Sequence, residues 1–254
     1  MRVLIVGGSG LLGSELARRC SAAGHEVVAT YLTRPGKIVD VEWAPLDVLR
    51  REDVGALIGA HKPEMVVNAA YRQADWTTTA AGAANVALAA SATGARLVHM
   101  ADDTVFSDAA TRYDETRVTG AITPNGAAEA AAVTAMNAIA PAAVTARTCL
   151  FTGDGDRPHE APAHPPATDW GSGVLFTDDV PRPVHVADLA AALLELAASE
   201  HHDVHRVAGT DAASRNEPGS LTARRDGLDG DRPPSARRAD TAAPGPLDAR
   251  LMCC

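Results

Sequence analysis

Lysine is almost missing from this chain: Lys37 and Lys62 are the only two among its 23 basic residues, and the rest are arginine. Aromatic residues are scarce too, at 4%, so alanine takes over much of the interior filling. No apolar run approaches the roughly 20 residues that a membrane-spanning helix needs, and no membrane partner is expected. The first residues lack the basic, apolar and small-residue order of a secretory signal, which gives a cytoplasmic location as the expectation. Excess positive charge is also lacking. A formal net charge of −9 argues against nucleic acid as the main partner, because a phosphate backbone attracts basic patches. Residues 215–238 are locally arginine-rich, but Asp and Glu interleave with the arginines, as on a solvated surface. Cys20, Cys149, Cys253 and Cys254 show no metal-ligand spacing, and reduced thiols are expected.

What is present is an alternation. At 254 residues, 46% hydrophobic and 22% charged, the chain can bury the core of one large α/β domain or two small ones. Residues 2–6 (RVLIV) form a short β-branched run suited to a strand buried on both faces. A glycine-rich turn follows at 7–13, then an amphipathic helix over 14–23, a stop at Gly24 and a second strand over 26–31. The pattern continues with a helix at 53–60, a strand at 65–70, a small-residue helix at 80–93 and a strand at 96–100. A helix at 127–139 and strands at 143–147 and 184–186 follow, then a helix at 188–198 capped by Asp188 or its neighbour, and a last strand at 205–208. Strands alternating with helices predict an α/β fold built on a doubly wound parallel sheet. Residues 151–183 and 209–254, rich in Pro, Gly and Asp, break the pattern. The expected organisation is one domain over 1–254, with its dinucleotide-binding core at 1–150 and 184–208. A small C-terminal substrate portion takes 151–183 and 209–254, the tail weakly ordered.

Gly7, Gly10 and Gly13 make a G-x-x-G-x-x-G run between a strand and a helix. The first glycine permits a tight turn, the second lets a pyrophosphate approach the backbone, and the third allows close helix–strand packing. Free N–H groups at the helix start, at Leu11 and Leu12, meet the phosphates at the positive end of the helix dipole. Strand, turn, helix and second strand stand in the order of a Rossmann dinucleotide site. The second strand and its loop run Val27-Val28-Ala29-Thr30-Tyr31-Leu32-Thr33-Arg34, with no carboxylate for ribose hydroxyls. Arg34 is placed to meet a 2′-phosphate, which favours NADP(H) over NAD(H); a solvated loop arginine is the alternative.

With these pieces in place, the chain resembles the extended short-chain dehydrogenase/reductases, and within them the dTDP-4-dehydrorhamnose reductase-like, sugar-nucleotide-binding group. The likeness runs to about residue 208 and more thinly to the end. It rests on GGSGLLG at 7–13, LDV at 46–48, VVNAAY at 66–71, HMADDTVF at 99–106 and YDET at 113–116. It continues with TPNGAAEAAA at 123–132, ARTCLFTGDG at 146–155 and PVHVADLAAALLEL at 183–196. The resemblance implies Asp47 and Val48 near an adenine, and Ala69, Ala70 and Tyr71 near the middle of the cofactor. It also implies a nucleotide-sugar-like small-molecule partner and leaves a homodimer open.

The catalytic positions depart from the family. Such reductases use a Ser or Thr, a Tyr, and a Lys four residues beyond that Tyr; the lysine lowers the phenol pKa and holds the nicotinamide ribose. Here the corresponding runs are His99-Met100-Ala101-Asp102-Asp103 and Pro124-Asn125-Gly126-Ala127-Ala128-Glu129, so the three positions hold Asp102, Asn125 and Glu129. Tyr31, Tyr71 and Tyr113 are followed at the same spacing by Pro35, Asp75 and Arg117, none of them lysine. The first expectation is therefore a sugar-nucleotide reductase-like protein inactive or impaired in hydride transfer. A cofactor-bound regulatory or scaffold subunit is an alternative, as is a non-redox acid/base enzyme using Asp102 and Glu129.

Other groupings are expected to be structural. His201, His202 and His205 suggest a metal cluster, but the resemblance puts them in a turn and on the next strand with side chains pointing apart, so no metal is expected. Asp102-Asp103, Asp154/Asp156 and Asp178-Asp179 make no cation site alone, since adjacent strand residues face opposite ways. Cys149 is expected to pack in the core.

Overall fold

A computed structural model describes residues 1–72, 75–106, 120, 123–149, 151–153, 175–176, 182–214, 217 and 235–237. In chain order the first part runs β1 (Arg2–Val6), α1 (Leu11–Ala22), β2 (Glu26–Tyr31), β3 (Glu42–Pro45), α2 (Arg51–His61) and β4 (Met65–Asn68). A wide π-type turn at Thr77–Gly82 leads into α3 (Ala83–Thr93) and β5 (Arg96–Asp102), followed by a 3-10 turn at Asp103–Val105. Then come α4 (Pro124–Ile139), β6 (Val144–Thr148), β7 (Phe151–Thr152), β8 (Leu175–Phe176), β9 (Val184–His185), α5 (Val186–Ala198), β10 (Asp203–Arg206) and β11 (Ser235–Ala236).

Seven strands form one parallel sheet in the order β10-β6-β5-β4-β1-β2-β3. Six of them reproduce the doubly wound dinucleotide arrangement, whose order reverses between β1 and β4; ligands bind such sheets at the strand carboxyl ends beside that reversal. The strand cores are apolar on both faces, with Leu4, Ile5, Val6, Val66 and Val67 fully buried, because helices cover each side.

Local sequence explains the helix limits. In α1, Leu12, Leu16, Ala17 and Cys20 are buried on one stripe. The helix stops in a Schellman motif: Gly24, at φ +77°, donates its N–H to Ser21 O, and His25 N–H reaches Cys20 O. Gly94 ends α3 in the same way, at φ +70°. Thr123 caps α4 by accepting from Gly126 N–H at 3.0 Å, and Pro124 takes the first helical position.

Several boundaries differ from the sequence expectation. The first helix starts at Leu11 rather than 14, because the glycine turn leads straight into it. The helix expected from 127 starts at Pro124 on its Thr123 cap. Asp188 lies inside the first turn of α5, not at its cap, since the helix begins at Val186. The last sheet strand lies at 203–206 rather than 205–208, entered through Asp203 at φ +68°. Strand β3 escapes sequence reading: it has four residues, ends on a proline and lies at the sheet edge, where a missing N–H is tolerated.

The chain divides into two compact units, residues 1–148 with 186–207, and residues 149–185 with 208–254. The first holds the seven-stranded sheet. In the second, β7 pairs with β9 and β11 with β8, both parallel. Arg182 O there accepts from Gly209 N–H at 3.1 Å and from the Cys149 thiol at 3.4 Å, and Arg182 also donates to Thr210 O. Cys149 is half-buried rather than packed in a core. Most of the tail beyond Gly209, Tyr113 with Arg117, and the aspartates at 154, 156, 178 and 179 lie outside the described residues. Among the described residues, no helix is long and apolar enough to cross a membrane.

The glycines allow a steric prediction. A Cβ on Gly13 would collide with Gly7 O and lie 2.7 Å from Gly8 Cα, whereas one on Gly24 would have nothing within 4 Å. Gly24→Ala should cost about 1 kcal/mol, from its left-handed backbone alone. Gly13→Ala should cost about 3 kcal/mol or more, because backbone must move. Urea unfolding of both variants checks the order; a larger loss for Gly24→Ala would refute it.

Candidate active site

The glycine turn is built by backbone crowding. Gly7 adopts φ +79°, and a Cβ there would lie 2.7 Å from Ala69 O and from the Ala70 backbone. Its N–H donates to Thr30 Oγ1 at 3.0 Å, and Ser9 N–H donates to Thr30 O at 3.3 Å, so the turn is tied to the end of β2. Gly10 differs from its neighbours: its Cβ direction meets only Gly7 O, at 3.3 Å, and it stands at the N-cap of α1 with no side chain capping the helix. The N-terminal N–H groups of α1, from Leu11 and Leu12 on, thus start a helix that no cap side chain closes.

Around the turn, the other expected cofactor residues fall at the carboxyl ends of β1, β2 and β4 or just beyond β3. Asp47 is not a free carboxylate arm, because its Oδ1 accepts from Leu49 N–H at 3.0 Å. Val48 is buried; its carbonyl accepts from Asn85 Nδ2 at 2.9 Å, and its Cγ2 lies 2.6 Å from where a Gly82 Cβ would be. Ala69 and Ala70 are half-buried, and Ala70 N–H is held by Asn68 Oδ1 at 3.2 Å. Asn68 in turn donates from Nδ2 to Nδ1 of His99, its register partner, at 3.2 Å. Burial lowers the His99 pKa to about 4, so the ring is neutral and accepts that bond. Arg34 is exposed, three residues past the end of β2.

Sequence reading missed two supports of this edge. Asp75 accepts from the N–H groups of Thr77 and Thr78, both at 3.1 Å, and from Thr78 Oγ1 at 2.8 Å. These bonds, that to Thr78 N–H first, lower its pKa and start the π-type turn that seats Gly82 against Val48. The D-x-T-T run was the available signal. The second is His99 itself, a histidine inside an otherwise apolar strand.

Asp102, Asn125 and Glu129 do come together. Asn125 and Glu129 are four apart on α4 and face inward, 8% and 2% exposed. Asp102 ends β5, where its Oδ1 accepts from Thr104 N–H at 2.7 Å and its own N–H donates to Glu129 Oε2 at 3.4 Å. Asn125 Nδ2 donates to Thr104 Oγ1 at 3.3 Å, and Tyr71 OH donates to Asn125 Oδ1 at 3.4 Å. Burial above all, and then the Asp102 charge, push the Glu129 pKa up to about 8, against opposing effects of the Asp102 N–H and the Arg147 cation. The protonated form of Glu129 therefore predominates at neutral pH. Arg147, on β6, is buried with its Cζ 4.8 Å from the centre of the Phe106 ring, a cation–π contact. It too was missed, and its signal was an arginine closing a fully buried strand.

One expectation is corrected at the opposite end of the sheet. The rings of His201 and His205 do not point apart: their centroids are 5.3 Å from each other, tilted by 55°. The short turn through Asp203 folds the chain back before β10, so the strand does not carry His205 away.

A parallel sheet with this glycine turn, and a carboxyl-end cluster on β5 and α4, matches one family from end to end: the model of the RmlD substrate binding domain covers residues 1–253. The chain belongs to that family. A curated relative is the dTDP-4-dehydrorhamnose reductase of Mycolicibacterium smegmatis, 28% identical over 208 residues, which are 77% of this chain and 60% of that protein. This chain thus aligns with less than two thirds of the relative's length. The fold is shared with the Bordetella bronchiseptica enzyme WbmH, solved with NAD+, at a TM-score of 0.78 and 19% identity, covering 94% of this chain and 86% of the other. It is shared as well with the dTDP-4-dehydrorhamnose reductase of Bacillus anthracis, solved with NADP, at 0.72 and 21%, covering 96% and 86%.

The Glu129 carboxyl gives a pH prediction. Between its ordinary value of 4.5 and about 8, Glu129 ionises in the unfolded chain but stays protonated in the folded one. Its contribution to stability is complete below the lower value and is lost as pH rises to the upper one, on the order of 5 kcal/mol in all. Glu129→Gln has no proton to release, so its stability relative to the parent should improve from pH 5 to pH 8 in urea titrations. A constant difference across that window would show the carboxyl ionised throughout.

Proposed function

We propose that the chain is an NAD(P)-binding, sugar-nucleotide reductase-like protein of the dTDP-4-dehydrorhamnose reductase type whose hydride-transfer reaction is lost or strongly impaired. The glycine turn suits a dinucleotide: Gly10, whose Cβ position meets only the Gly7 carbonyl, and an uncapped helix start leave N–H donors for a pyrophosphate. Leu11, Leu12 and Gly13 then give backbone contacts, Asp47 and Val48 border the adenine, and Ala69, Ala70 and Tyr71 line the middle. Arg34, exposed beyond β2, favours a 2′-phosphate and so NADP(H). A soluble cytoplasmic protein acting on a nucleotide sugar, as monomer or homodimer, fits this reading.

When bound, such a cofactor supplies hydride to a carbonyl carbon. The chain must then give a proton to the carbonyl oxygen, which needs an acid whose pKa is held near the working pH. The observation that carries the proposal is the buried carboxyl of Glu129 beside Asp102, on the helix where that reaction requires a cation. A negative or neutral group there cannot lower a phenol pKa. Asn125 has no proton of suitable acidity. Tyr71 brings a phenol to Asn125, but the residue four further on, Asp75, is engaged in starting the π-type turn.

A second reading has its own support. A carboxyl with a pKa of about 8 next to a second carboxylate is the arrangement of a general acid–base pair, so Asp102 and Glu129 suit a non-redox reaction. Conversion of a nucleotide sugar without nicotinamide would favour it. Cofactor binding with no turnover of any nucleotide sugar would favour a regulatory or scaffold subunit.

Two measurements test the proposal. Calorimetry should show NADPH or NADH binding to the parent, and at least tenfold weaker binding to Gly10→Asp, whose carboxylate would face the pyrophosphate. Equal affinities would place the cofactor elsewhere or nowhere. Asp102→Thr, Asn125→Tyr and Glu129→Lys combined should raise NADPH oxidation with a dTDP-4-keto-6-deoxy sugar by about 10²-fold or more, the usual scale of general acid assistance. Each single change should do far less, since the phenol and its ammonium partner work only together. A parent as active as the triple variant would assign the chemistry to other residues.

A further inference from the structure

We propose that His201 and His205 form a two-imidazole site for one borderline divalent transition cation, of the Zn2+ or Ni2+ kind, at the turn between α5 and β10. The segment His201-His202-Asp203-Val204-His205 carries three imidazoles and a carboxylate in five residues. The backbone sorts them into different tasks. Asp203 takes the left-handed conformation at φ +68°, an uncommon one for a residue with a side chain, and so reverses the chain just before the strand. His202 faces Asp203, with Nδ1 3.1 Å from Oδ2. The rings of His201 and His205 are left beside each other, tilted by 55°.

Their separation fits one shared ion. Two imidazoles bound at metal–nitrogen distances of ~2.0–2.1 Å and a tetrahedral angle hold their ring centroids about 5 Å apart. The centroids here are 5.3 Å apart, and the 55° tilt is free of the stacking that would close the gap. A second, independent contact points the same way. His205 Nε2–H donates to His202 O at 2.8 Å, which fixes the tautomer and leaves Nδ1 with its lone pair available. Metal-binding histidines are held in this manner, with one ring N–H on a backbone carbonyl and the other nitrogen on the ion.

The site is also preorganised on its His201 side. Arg96, at the start of β5, donates to Ala142 O at 2.7 Å, to Ser199 O at 3.2 Å and to His201 O. The guanidinium thereby pins the end of α5 and the first histidine to the sheet, while β10 pairs His205 with Ala146 of β6. His201 is exposed and His205 half-buried, so an ion can enter from solvent. Among the described residues no group of three metal-ligating side chains is gathered, so water completes the coordination and micromolar rather than structural-zinc affinity is expected.

Titration of the whole protein with zinc sulfate and with nickel chloride by calorimetry tests the assignment. The parent should bind one equivalent, and His201→Ala and His205→Ala should each weaken binding at least tenfold. His202→Ala should leave it within about twofold, and so should Cys253→Ser with Cys254→Ser. Binding should weaken as pH falls, because protons compete with the ion for the same nitrogens. In the parent's NMR spectrum, Zn2+ should move the ring signals of His201 and His205 and not those of His202. This measurement needs no variant to fold. No binding below about millimolar ion, a His202→Ala loss equal to the others, or binding that follows the two cysteines would each overturn the proposal.

Discussion

Where β1 runs into α1, the Gly7 α-carbon faces the backbone of Ala69 and Ala70 with no space for a further carbon. That contact fixes how closely the first and fourth strands approach at their carboxyl ends, and much of the site's geometry depends on it. Gly13 repeats the constraint one helical turn on, by seating α1 directly on the turn. Thr30 then binds the turn to β2, and Asn68, held by a neutral His99, fixes the backbone of Ala70 on the other side. Gly10 is less crowded, its Cβ position meeting only Gly7 O at 3.3 Å. The result is an uncapped helix start at the carboxyl ends of three strands.

A different balance operates at β5 and α4. Glu129 is buried beside Asp102, and two like charges in so dry a place are costly. The chain answers by keeping the proton on Glu129, pushing its pKa up to about 8. Arg147 opposes that shift, yet its guanidinium is drawn over the Phe106 ring. Asp102 meanwhile holds the Thr104 N–H of the following turn. The cluster is therefore a folded, hydrogen-bonded unit in its own right rather than a gap left by missing groups. Asp102 both raises the Glu129 pKa through its charge and bonds the Glu129 carboxyl through its N–H, which is why the identities of residues 102 and 129 belong together.

The arginine–carbonyl cluster of Arg96 plays a comparable part at the far end of the sheet. By bonding the Leu196 carbonyl of the last turn of α5, as well as the carbonyls of residues 142, 199 and 201, it supplies a partner that the end of that helix would otherwise lack. These bonds tie the histidine turn to the sheet beside its edge strand.

The sequence by itself determined the parallel α/β sheet, the glycine turn and the family. Hydrophobic period, the helix stop at Gly24, and the spacing of Gly7, Gly10 and Gly13 are local properties, legible from neighbours along the chain. It also placed Asp102, Asn125 and Glu129 at three positions of one site. Tertiary structure alone decided their chemical states, since the Glu129 pKa depends on burial and on Asp102, 27 residues away in the chain. Long-range packing likewise decided the Asn68–His99 bond, the seating of Gly82 on Val48 and the placing of Arg147 against Phe106. The approach of His201 to His205 turned on a single left-handed residue, Asp203, whose conformation no periodicity announces. Burial and backbone handedness arise from the whole fold, and a side chain's charge and direction follow from them.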